Sequence, residues 1–83
     1  MNVTYTHHAE LVMRERRIPA EWVERCVALP ALRQRDPGDA ALERLFISVP
    51  EFGGRVLRVV VNTTVDPWRI VSVFFDRSMK GKP

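Results

Sequence analysis

The feature that narrows the fold most is a change of hydrophobic period at Pro30: apolar residues recur at helical spacing before it and alternate after it. Upstream, residues 6–17 contain neither Gly nor Pro, and Ala9, Val12, Met13 and Arg16 share one helical face with Leu11 at its edge. Thr6 is placed to cap this helix, because its hydroxyl can accept an orphan backbone N–H. Arg14, Arg16 and Arg17 crowd the last turn, where the helix dipole favours cations. Pro19 opens a second helix, since a proline at the first turn loses no hydrogen bond. Val23, Cys26 and Val27 then fall at i, i+3, i+4, with Trp22 and Leu29 beside them. So short a link between helices predicts a helical hairpin.

Downstream of Pro30 the period is two. "ALRQRD" reads as a short edge strand, and "DPGD" at residues 36–39 as a turn in which Pro37 fixes φ and Gly38 accepts positive φ. Three further strands follow, separated by "PEFGG" and "TTVDP". Their apolar sets are Leu45/Ile47/Val49, Leu57/Val59/Val61 and Val71/Val73/Phe75. The expectation is an α+β fold, with an N-terminal helical hairpin on one face of an antiparallel meander of three to four strands. Residues 1–77 form the domain and 78–83 a basic, flexible tail. Strand parity turns Arg58 away from the helices, onto a face shared with Arg44, Phe46, Ser72, Phe74 and Asp76. Phe46 and Phe74 are expected to face solvent there.

Size and charge bound the function classes. At 83 residues the chain is one domain by prior, and so small a domain buries a limited fraction of its surface. It has one cysteine, which excludes an internal disulfide and favours a reducing, cytoplasmic setting. No secretory leader is visible at the N-terminus, and no apolar run approaches the roughly 18 residues of a membrane span. The net charge of +3 leans toward a polyanionic partner, nucleic acid or an acidic protein.

Three features carry candidate chemistry, each with a plainer counterpart. On the outward sheet face, Arg44, Arg58 and Asp76 are either solvated ion pairs or an RNA surface, since guanidinium forks match phosphate oxygens and Phe rings stack on bases. Phe46 and Phe74 could instead be covered by a second copy of the chain. His7 and His8 diverge by about 100° on a helix and cannot chelate one metal, so no metal or cofactor is expected. His8 is either ordinary surface or a general acid or base. The run Arg14–Arg17 is either a solvated helix end or a set of phosphate contacts. Cys26, on an apolar stripe with no basic neighbour, reads as a buried structural thiol.

Several stretches together, "THHA" with the following Met and Ile, "EWVERCVALP", "GGRVLRVVV" and "VSVFFDR", resemble the domain-of-unknown-function family four-two-five-eight over about residues 4–77. That family is thought related to RelE/BrnT-like toxins, mostly ribonucleases neutralised by a cognate antitoxin. The resemblance implies helices followed by an antiparallel sheet, RNA as substrate and an antitoxin-like protein as partner. Its recurrent polar positions fall on His8, Arg16, Arg55, Arg58, Asp76 and Arg77. Two positions depart from the pattern: Val12 stands where the family usually has Arg, and Arg17 where it commonly has Gly.

On this reading the chain is a toxin-type, metal-independent endoribonuclease or a degenerate relative. His8 would move protons, Arg58 would stabilise developing phosphorane charge, and Asp76 would orient an arginine or share the proton work. Arg16, Arg44, Arg55 and Arg77 would hold the nucleic acid. The alternatives are a non-catalytic module that binds RNA or protein, and a homo-oligomeric domain, for example a homodimer.

Overall fold

In the computed structural model of the protein, which describes residues 2–83, the chain runs β1 (Val3–Tyr5), α1 (His7–Arg16), α2 (Ala20–Ala28), β2 (Leu32–Arg35), β3 (Leu42–Val49), β4 (Arg55–Asn62) and β5 (Trp68–Phe75). Single 3-10 turns occupy Pro50–Phe52 and Arg77–Met79. The fold is α+β, as the change of period requires. The sheet, however, has five strands in the order β1-β5-β4-β3-β2 and is mixed rather than a pure meander. The added strand is β1, which lies parallel to β5 with Val3 beside Trp68 and Tyr5 beside Ile70. Three residues are too few to show an alternating pattern, and their pairing with the far end of the chain is a tertiary effect.

The first helix is delimited as its caps predict. The Thr6 hydroxyl accepts from the Ala9 N–H and donates to the Val71 carbonyl, which fastens the helix start to β5. At the other end Arg17 adopts the left-handed conformation (φ 54°, ψ 46°). Its N–H donates to the Arg14 carbonyl and that of Ile18 to Met13, the paired bonds of a Schellman motif, with Met13 packed against the core that contains Ile18. Each helix then rests on the sheet: α1 on β5 and β1, α2 on β3 and β4.

The core lies between these layers. Ala9, Ile18, Val23, Cys26 and Val27 meet Leu45, Ile47, Val49, Leu57, Val59, Val61, Ile70 and Val73. Full burial of such aliphatic side chains stabilises by about 1.5–3 kcal/mol each, which sets the parity of β3 and β4 firmly. On β5 the parity differs from the alternation in the sequence. A register shift between Val60 and Val61 pairs Val60 with Ser72 but Val61 with Ile70. Val71 is the extra residue of a bulge, so Ile70 takes the core position expected for Val71.

Two local readings also change. Among the glycines, positive φ occurs at Gly53, Gly54 and Gly81, not at Gly38. The 36–39 turn is built instead by the Asp36 carboxylate, which accepts from the N–H groups of Gly38 and Asp39. Phe46 does point away from the helices, but it is only 1 % exposed. The Arg33–Glu43 ion pair closes the β2–β3 edge at the far side of the sheet.

Candidate functional site

β4 starts at Arg55 and β5 finishes at Phe75, and Leu57 pairs with Phe75, so these two ends meet at one rim of the sheet. A cavity of about 280 Å³ opens there, lined by Arg55, Val56, Phe75, Asp76, Arg77 and Lys80. The double glycine at 53–54 makes this geometry possible. Both residues have positive φ (69° and 74°), letting the chain turn sharply from the Pro50–Phe52 turn into β4. Phe52 is thereby presented at the rim, 41 % exposed. Its ring centroid lies 4.9 Å from that of Phe75 and 5.9 Å from that of Trp22, and the Arg55 guanidinium sits 4.6 Å above it.

Charge at this rim is unbalanced. Among the described residues, no carboxylate lies within ion-pair reach of Arg55, Arg77 or Lys80. The one acidic group in the lining, Asp76, is committed elsewhere. Its Oδ2 accepts from Arg58 Nη2 at 2.6 Å and Nε at 3.1 Å. Its Oδ1 accepts from the Ser78 hydroxyl at 2.6 Å and the Ser78 N–H at 3.0 Å. These bonds, the Ser78 hydroxyl foremost and the Arg58 charge with them, hold the Asp76 carboxyl below its ordinary range against the opposing effect of burial. Asp76 thus joins the sheet to the Arg77–Met79 turn, fixing where Arg77 and Lys80 emerge.

Arg58 is explained by the same construction. Phe46, Arg58 and Phe74 form one cross-strand row, and the guanidinium lies 5.7 Å from the Phe46 ring and 4.6 Å from the Phe74 ring. The Arg77–Met79 turn packs against β4, and the Ser48 hydroxyl reaches the Pro83 carbonyl at 3.5 Å. The chain after Asp76 therefore returns across this face, where Phe46 and Val56 are buried. A guanidinium stands inside the valine stretch because it has a carboxylate to bind and two rings to pack between.

Of the residues singled out from sequence, Arg55 and Arg77 line the cavity, Asp76 forms part of its wall, and Arg58 touches Asp76. Arg44 shares the outward face but donates to Asp36 at 3.2 Å. His8 and Arg16 are exposed on α1, in the helical layer, whereas Arg58 faces the other way. Sequence reasoning missed Lys80 as a lining residue and Phe52 as the exposed ring beside it. Lys80 lies in a polar run without a period. Phe52 lies in a loop, where only its rarity as an exposed aromatic beside Gly-Gly offered a signal. Among the described residues, no group of three His, Cys, Asp or Glu side chains could hold a metal, and no helix is long and apolar enough to cross a membrane.

Two helices on a five-stranded mixed sheet, with a cavity lined by Arg55, Phe75, Arg77 and Lys80 at one rim, define a small α+β domain. The family model described as "Domain of unknown function (DUF4258)" matches residues 5–75, and the chain belongs to that family. No curated protein and no solved structure matches the chain.

Proposed function

We propose that this protein binds RNA without cutting it, as a RelE/BrnT-like module of the cytoplasm in which the nuclease chemistry is not assembled. The observation that carries this reading is that three cations, Arg55, Arg77 and Lys80, which have no carboxylate partner among the described residues, line one cavity beside an exposed Phe52. Guanidinium and ammonium groups bind phosphate oxygens, and an exposed ring offers a base a stacking surface, worth about 1–3 kcal/mol per base. Binding is favoured over cleavage because neither of the two proton-transfer groups expected from sequence is free in the cleft. Asp76 is held ionised by Ser78 and Arg58, and His8 belongs to the helical layer.

Fluorescence anisotropy with single-stranded RNA tests the reading. Cation–phosphate contacts make log affinity fall linearly as log salt rises. The variant Arg55→Ala/Arg77→Ala/Lys80→Ala should lose most of both affinity and slope, while Arg16→Ala keeps them. The RNA recovered afterwards should carry no new ends. Cleavage without added metal that disappears in His8→Ala would replace this reading with the toxin-type enzyme. Salt-independent affinity would remove it.

A further inference from the structure

We infer that the cleft takes the terminal phosphomonoester of an RNA rather than an internal phosphodiester. The polymer part of this statement rests on the RNA-binding reading; the phosphate part does not. Charge is the first argument. Three cations line one cavity, and its only carboxylate is already matched by Arg58, so nothing within the lining offsets them. An internal phosphodiester brings a single negative charge. A terminal monoester brings about −1.5 to −2 near neutral pH and three acceptor oxygens, the better match to three cations around one cavity.

Shape is the second argument. Proteins that track a strand present cations and rings along an extended groove. Here the three basic residues line one space of about 280 Å³, just under the ordinary range of ligand clefts, roughly 300–1,000 Å³. That space suits a phosphate with part of one nucleotide. Phe52 stands next to the cavity rather than inside it, with the Arg55 guanidinium over its ring. A base attached to a phosphate seated in the cavity would lie beside Phe52 and the guanidinium stacked on it.

Rigidity is the third. Arg77 and Lys80 do not hang on a free chain. The Asp76 carboxylate caps the turn that carries them through Ser78, and the Lys80 N–H donates to the Arg77 carbonyl at 3.3 Å. A turn fixed in this way restricts where the two side chains emerge, so less backbone ordering is needed on binding, which favours one compact, highly charged group.

The test uses one RNA sequence in three forms: with a 5′-phosphate, with a 3′-phosphate, and with hydroxyls at both ends. Inorganic phosphate alone is titrated in parallel. At least one phosphate-ended form should bind about tenfold tighter than the hydroxyl-ended form, the fold-change expected of one added charge-assisted hydrogen bond. Which end is preferred separates the two sources of the group. Arg77→Ala and Lys80→Ala, both at exposed positions, should each erase most of that preference, and Arg16→Ala should not. Equal affinity for all three forms overturns the inference and leaves RNA binding standing. Phosphate binding with no RNA binding keeps the phosphomonoester site and removes the RNA reading. Loss of both removes both.

Discussion

Removing the Asp76 carboxylate probes the joint on which the cleft depends. In Asp76→Ala, Arg58 loses both of its charged hydrogen bonds and Ser78 loses the acceptor for its hydroxyl and its N–H. The side chains of Asp76 and Arg58 are 8 % and 19 % exposed, so water replaces these bonds only in part. Breaking a buried pair by deleting one partner costs about 3–5 kcal/mol. The residual exposure of Arg58 and its two ring neighbours put the cost at the lower end, about 3 kcal/mol. For a chain of this size that lowers Tm by roughly 12–24 °C. The companion variant Arg58→Met keeps an apolar stem between Phe46 and Phe74 while removing the charge. In urea denaturation at neutral pH, the double variant should cost less than the sum of the singles by about 1 kcal/mol or more. Additivity within about 0.5 kcal/mol would refute the idea that the two charges stabilise each other.

Three further outcomes follow from the same geometry. Arg17 holds a left-handed conformation that glycine adopts without steric cost, so Arg17→Gly should stabilise by about 0.5–1 kcal/mol, raising Tm by several degrees; an unchanged or lower Tm would contradict the cap assignment. Arg25 holds the Glu51 carboxyl down to about 2, and Asp36, Glu43 and Asp76 are also lowered. Folded values below the unfolded ones mean stability that is complete above the ordinary carboxylate range and lost as pH falls toward 2. Urea midpoints should therefore drop from pH 5 to pH 2, and a flat profile would count against these pairings. Burial pushes the Cys26 thiol up to about 12, so alkylation should be negligible in the native protein and rapid in urea, as read by mass spectrometry.

The parity of Arg58 was legible because the opposite one would put its guanidinium beneath the helices in place of Leu57, Val59 and Val61. The bulge at Val71 was not legible: Ile70, Val71 and Val73 are all apolar, and the choice among them is made by the start of α1, whose Thr6 binds the Val71 carbonyl. Phe46 was read correctly for direction and wrongly for exposure, since what lies over that face is the chain after Asp76, a segment with no hydrophobic period. β1 was missed for its shortness. The cleft was half visible, through Arg55 and Arg77. Their convergence with Lys80 depends on the Ser78–Asp76 cap, which looks from sequence like any polar residue after a strand. The separation of His8 from Arg58 was legible as well, since the parity that turns Arg58 away from the helices sets it across the sheet from α1.

The most direct measurement is the backbone and side-chain NMR spectrum of the whole chain titrated with single-stranded RNA. The account predicts that the largest shift changes fall on Phe52, Arg55, Phe75, Arg77 and Lys80, with His8 and Arg16 left nearly unmoved. Changes concentrated on α1, with the β4–β5 rim silent, would contradict it.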